Sequence, residues 1–369
     1  MQELKWSKLK AASRDALLAK YEARMDLSVD ADLLGMKLKS LCRRIREYRE
    51  NTRIIVGSDP GVIEEKVARS NYRPAIVPTI SKTPLKLTDI RDVDGATDQQ
   101  KWIDWLYEMQ TSKGIITVMH CCDVHFPFAN LSALEVFYKL AEHTQPDLII
   151  VGSDSADFAL LSNFKRAADL DESTPDELEM FDMFWRSHIM RLKRVCPNAV
   201  LAFIYGNHEY RLTRFLNDAA PKLRKTVMKA FVDIIRCDDN VMYLGETDYV
   251  RMGPLVIQHG KRVSKYPASA SLADLGNQLC TQFGHVHRLD EAVVAGELYT
   301  VWGVASGKLS SPPHYVMGKV MKKEQYGTTI MEVDLRSRDA GYSNLLFNED
   351  EESGIISVRF ERKLFEGKT

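Results

Sequence analysis

Five short segments carry the side chains that hold divalent metals. They read Asp123-Val124-His125, Asp154-Ser155-Ala156-Asp157, Gly206-Asn207-His208-Glu209, His259-Gly260 and Gly284-His285-Val286-His287. Carboxylate, amide and imidazole donors in this mixture suit Mn, Zn, Fe or Ni, and the residue types do not choose among them. Two such ions about 3.5–4 Å apart acidify water and clamp both the attacking and the leaving oxygen of a displacement, a recurrent route to phosphoester hydrolysis. Ions that close need an anion between them, and the Asp154 carboxylate is the natural bridge.

Donors so far apart in sequence must be brought together by a scaffold. Each segment follows an apolar run of strand type: Ile115 to Met119, Leu148 to Val151, Val200 to Tyr205, Leu255 to Ile257, and Leu279 to Phe283. In α/β folds the loops leaving strand ends gather at one edge, so remote residues can share a pocket. Helical patterns lie between the strands. Leu131 to His143 places Leu134, Phe137, Tyr138 and Ala141 on one face with Asn130 as its cap, and Asp176 to Val195 follows the helix-start signal Ser173-Thr174-Pro175. Beyond Asn240 the chain is rich in strands: Val241 to Leu244, Tyr249 to Met252, Leu255 to His259, Ala292 to Ala295, Leu298 to Trp302, Thr328 to Leu335 and Ile355 to Phe360. The acidic run Asn348 to Glu352 reads as a solvated loop. The predicted fold is α/β, a two-sheet α/β sandwich with its motif loops along one edge.

The five segments, in this order, resemble the calcineurin-like metallophosphoesterase superfamily, whose pattern is D-x-H, G-D-x-x-D, G-N-H-D/E, H and G-H-x-H. The resemblance runs over roughly residues 113 to 335. Its closing G-H-x-H is nearer the nuclease and small-phosphodiesterase branches than the serine/threonine protein phosphatases, and the wording is similar to phosphoesterases common in phage genomes. The resemblance implies that Asp123, His125 and His287 complete one metal and Asn207, His259 and His285 the other, with Asp154 between them. It implies that His208 is a catalytic imidazole that stabilises or protonates the leaving oxygen, with Asp157 accepting its ring N–H. Manganese is the leading expectation for both ions, ahead of Zn, Fe or Ni. Arg211, Lys261 and Arg262 are candidate phosphate contacts, each as readily a surface ion pair.

The second segment departs from the pattern. Gly152-Ser153-Asp154 stands where Gly usually precedes the bridging Asp directly, so either Ser153 takes the Gly position or the loop is one residue longer. Asp154 and Asp157 nevertheless keep the D-x-x-D spacing. Cys121-Cys122 before the first segment reads as small buried residues at a strand end. Of the remaining histidines, His143 reads as a favourable charge at a helix C-terminus, His188 as packing or surface, and His314 as surface.

Residues 1–50 form a second region, dense in Leu, Ala, Lys, Arg and Glu. Ala31 to Ile45 resembles the second and third helices of a helix-turn-helix, with Gly35 at the turn. Lys37, Lys39, Arg43, Arg44 and Arg46 stand on the last helix, where a DNA-reading helix needs cations for phosphates and base edges. Residues 51–112 are broken by prolines and read as a linker that docks on a catalytic domain at 113–369, with Trp102 and Trp105 as packing residues. The whole is thus a small all-α helix-turn-helix-like domain ahead of the sandwich.

The 369 residues carry a net charge of −1, so no global field draws the chain to nucleic acid or membrane, and no apolar run reaches the length of a spanning helix. Six cysteines without C-x-x-C spacing and a polar N-terminus point to a cytoplasmic setting, host cytoplasm for a phage-encoded chain. The expected activity is a metal-dependent phosphodiesterase or nuclease with DNA as partner. The alternative is a phosphatase or phosphodiesterase for small esters or phosphoproteins, whose N-terminal module serves assembly. A homodimer is compatible with either.

Overall fold

The first three strands are apolar at nearly every position, which fits strands buried on both faces. Side chains alternate along a strand, so successive residues enter different cores. Ile149 and Val151 pack with helices on one side, while Leu148 and Ile150 pack toward the second sheet on the other. A computed structural model of the protein describes residues 97–161, 174–296, 299–311, 324–337 and 339–368. The expected helix-turn-helix with Lys37, Lys39, Arg43, Arg44 and Arg46 lies outside the described residues, as do residues 51–96 and His314.

The chain enters through α1 (Gln99–Ser112), β1 (Ile115–His120), α2 (Leu131–Thr144), β2 (Leu148–Gly152), α3 (Thr174–Val195) and β3 (Val200–Ile204). Then come α4 (Glu209–Asp218), α5 (Arg224–Ile235), β4 (Val241–Tyr243), β5 (Tyr249–Met252), β6 (Leu255–Gln258), α6 (Pro267–Asp274) and β7 (Cys280–Phe283). The last strands are β8 (Asp290–Ala295), β9 (Thr300–Ala305), β10 (Tyr326–Asp334), β11 (Ala340–Asp350), β12 (Ile355–Phe360) and β13 (Lys363–Gly367).

They form an eight-stranded sheet in the order β13-β12-β11-β10-β1-β2-β3-β4 and a five-stranded sheet in the order β5-β6-β7-β9-β8. Strands β1 to β4 run parallel, as do β6, β7 and β9. One core lies between the sheets, where Ile116, Val118, Ala202 and Ile204 meet Val250, Met252, Leu255, Ile257 and Val304. Trp102 and Trp105 of α1 are buried in that same core, the packing role their helical spacing predicts. The other core lies under α2, α3 and α5, around Phe137, Phe181, Trp185, Phe203 and Phe231. Asn130 caps α2 as expected, its side chain accepting from the Ala133 N–H at 3.0 Å.

The C-terminal region corrects one expectation. Asn348 to Asp350 are not loop but the end of β11, paired with Ser357 to Ile355 of β12. The sequence carries no strand signal there, because Ala340–Asp350 keeps no clean alternation of buried and exposed residues. Strand β13 was missed as well, being short and mostly exposed. No helix among the described residues is long and apolar enough to cross a membrane.

Candidate metal centre

Strands β1, β2 and β3 of one sheet and β6 and β7 of the other all release their chain at the same kind of end, the carboxyl end. The expected donors sit in those five loops. Tight turns are needed to aim side chains back over a strand, and Asp123, His125, Ser153, Asp154, His285 and His287 all adopt left-handed backbone, with φ between 49° and 69°. Such conformations cost a non-glycine residue about 1–3 kcal/mol each and persist where the surrounding structure over-determines them.

Backbone amides supply that grip. Both Asp123 carboxylate oxygens accept from the His285 N–H at 3.0 Å, and Asp154 Oδ1 accepts from the His208 N–H at 2.8 Å. The motif glycines follow from these contacts. A Cβ at Gly206 would overlap the Asp154 carboxylate, and one at Gly284 would overlap that of Asp123.

The side chains meet in two groups that share Asp154. In the first, the His125 and His287 Nε2 atoms face each other at 3.1 Å, and Asp123 Oδ1 lies 3.3 Å from His287 Nε2. In the second, His259 Nε2 lies 2.7 Å from Asn207 Oδ1 and 3.1 Å from His285 Nδ1. Asp154 Oδ2 stands between them, 3.8 Å from His125 Nε2 and 3.4 Å from His259 Nε2. Close-approached nitrogen donors repel unless a proton or cation lies between them, and the Asp123, His125, His287 group and the Asp154, His259, His285 group each bring their ligand atoms within 4.8 Å of one another. The donor set fits divalent metal ions. Asn207 is exposed, His208, His285 and His287 are half-buried, and Asp123, His125, Asp154 and His259 are buried, so the cluster is open on the side of the first four.

Ser153 proves to be a positioning residue. Its hydroxyl lies 2.9 Å from His259 Nδ1, which leaves His259 Nε2 to face Asn207 and Asp154. Asp154, not Ser153, occupies the centre, and the departure from the family pattern costs the site no donor.

Asp157 has a wider task than expected. Its Oδ1 lies 3.1 Å from His125 Nδ1 and 2.9 Å from His208 Nδ1, whose hydrogen bond also reaches the Asp157 carbonyl at 2.9 Å. Burial opposes its charge, yet the two imidazoles hold the carboxyl far below the usual carboxylate range. For His125, burial would lower the imidazole, but the Asp123 and Asp157 carboxylates outweigh it and raise it to about 10. Burial and the facing His125 instead push His208 down to about 3. Arg211 agrees with a neutral ring there: its Nη2 lies 2.8 Å from His208 Nε2, and its Nη1 donates to the Asp157 carbonyl at 2.7 Å.

Arg211 is thus beside the centre, its guanidinium turned inward on His208. The other candidate phosphate contacts are elsewhere. Lys261 pairs with Asp248 at 3.1 Å and Arg262 with Asp274 at 2.6 Å, and both line a cleft whose lining includes none of the metal donors. Cys121 and Cys122 are buried, and burial pushes both thiols well up, so they are inert packing residues. His188 is buried too, with the Tyr138 hydroxyl 2.7 Å from its Nδ1, and His143 pairs with Glu361 at 2.9 Å.

The third segment contains Glu209 without indicating its role. Glu209, fully buried at the start of α4, accepts from the backbone N–H groups of Gly206 (2.7 Å), Asp154 (3.0 Å), Ser155 (2.8 Å) and Ala156 (3.2 Å). It is the clamp that folds the Asp154 loop. Its position in Gly206-Asn207-His208-Glu209 was the available signal, since an acidic residue opening a helix is placed to accept amide hydrogen bonds.

No protein-family model and no curated protein matches the chain. Among solved structures, it is similar to Vps29 of Chaetomium thermophilum complexed with a RaPID-derived cyclic peptide. The TM-score is 0.36 at 13% identity, covering 69% of this chain and 99% of that one.

Proposed function

We propose that this chain is a two-metal-dependent phosphoester hydrolase, acting on phosphodiesters with DNA as the foremost substrate. The observation that carries the reading is the pair of donor groups joined through Asp154, with His208 at their edge. Asp123, His125 and His287 would hold one ion, Asn207, His259 and His285 the other, and Asp154 both. Once bound, such a pair acidifies water and neutralises charge on a transferring phosphoryl group.

The chain's own groups supply the rest. Asp157 holds the Nδ1 proton of His208, which leaves Nε2 to exchange a proton with the reacting oxygens. Arg211, 2.8 Å from that Nε2, orients the ring and offers a fork donor where a phosphate would meet it. The preference for DNA draws on the sequence, on Lys37, Lys39, Arg43, Arg44 and Arg46 and on Gly284-His285-Val286-His287.

The test is hydrolysis of bis-p-nitrophenyl phosphate, p-nitrophenyl phosphate and a labelled DNA with Mn²⁺, with His208→Ala as control. Diester and DNA cleavage is expected, falling about 10²–10⁴-fold in the control while metal content is retained. Monoester turnover without DNA cleavage would move the reading to a phosphatase. No turnover with any metal would refute it.

A further inference from the structure

A lysine buried beside a candidate metal centre calls for a physical reason, because lysine is almost never fully buried without a partner. Lys308 is 3% exposed, and its Nζ is paired with Glu324 Oε2. The other oxygen of that carboxylate, Oε1, lies 3.3 Å from His287 Nδ1. On the far side of the same ring, Nε2 faces His125 Nε2 at 3.1 Å and Asp123 Oδ1 at 3.3 Å.

We propose that Glu324 and Lys308 are positioning residues for the candidate metal centre. Glu324 holds the His287 ring with its proton on Nδ1 and its Nε2 lone pair turned into the donor group, and Lys308 holds Glu324. The inference rests on the metal-dependent reading given above.

The backbone around the three side chains is stitched together. The Gln325 N–H donates to the His287 carbonyl at 2.8 Å, the Lys308 N–H donates to the Gln325 carbonyl at 2.9 Å, and Gln325 Oε1 accepts from the Leu289 N–H at 2.9 Å. Glu324 therefore meets His287 from a fixed direction rather than from a wandering side chain. The arrangement repeats on the neighbouring ring, where Asp157 Oδ1 lies 3.1 Å from His125 Nδ1. A carboxylate behind a ligating imidazole fixes its tautomer and raises its basicity, and losing one commonly lowers metal affinity about 10–100-fold.

The test is calorimetric titration of the metal-free full chain with Mn²⁺, with visible spectra of the Co²⁺ form as a second readout. Wild type should bind in two steps. Glu324→Gln should weaken one step about 10–100-fold and change the Co²⁺ spectrum, leaving the other step intact. Because Lys308 acts through Glu324, adding Lys308→Met to Glu324→Gln should cause no further loss. That double variant removes both charges of the pair, so it carries the test even where the single variant folds poorly. Wild-type binding in both variants overturns the positioning role while leaving the metal reading in place. A wild type that binds no Mn²⁺ overturns both. Equal weakening of both steps marks a general structural role and refutes the assignment.

Discussion

The two donor groups share Asp154 yet are built from different chemistry. The first adds the carboxylate of Asp123 and has carboxylates behind both of its imidazoles, Asp157 at His125 and Glu324 at His287. The second adds the neutral amide of Asn207 and has the Ser153 hydroxyl behind His259. Their protonation differs accordingly. Burial lowers His125 and His287 less than the nearby carboxylates raise them, whereas burial dominates at His259 and His285 and keeps those rings neutral. Two donor groups assembled from one set of strand ends thus differ in charge and in protonation.

The largest effect should come from removing what the two groups have in common. Asp154→Ala is expected to lose both ions by elemental analysis and to drop turnover by more than about 10³-fold. Retention of one ion would show that the groups are more independent than the shared carboxylate implies.

The next effect concerns acid. Loading the first group must expel the proton that His125 carries up to about pH 10 in the metal-free protein, while the imidazoles of the second group have none to lose. Burial raises Asp154 well above the usual carboxylate range, and its proton is common to both groups. Below pH 10, affinity at the first group should rise with pH, by about tenfold per unit for each proton displaced. Affinity at the second group should rise less steeply, through the shared Asp154 proton alone. Mn²⁺ titrations at pH 6, 7 and 8 read both slopes, and parallel slopes would abolish the contrast.

The smallest effect sharpens it from the other side. Ser153→Ala should weaken only the second group, by about tenfold, because the His259 ring loses its Nδ1 partner and not its place. Equal weakening of the first group would mean that Ser153 acts on the whole loop instead.

The chemistry was more legible in the sequence than its support was. Strand-end loops converge by topology, so the five segments could be expected at one edge, while the division of their donors into two groups came from the resemblance that their order carries. Their φ values, the amides that grip Asp123 and Asp154, and the carboxylate of Glu209 depend on loop paths that no periodicity encodes. Glu324 was invisible for a related reason. It lies before β10, far from His287 in sequence, with nothing apolar about it. In the fold, β1 to β3 were readable because both faces are buried, whereas the exposed β11 and β13 lacked a pattern to read.

Glu209 has a consequence for what the site can recognise. Successive backbone amides at a turn leading into a helix make a natural cradle for an anion, often a phosphate. Here the protein has filled that cradle with a carboxylate of its own, fixed in sequence beside the histidine it helps to place. The main chain of the Asp154 loop therefore has no vacancy to offer a substrate. Under the proposed activity, choice among esters would fall to the outer side chains, above the floor on which the ions would rest.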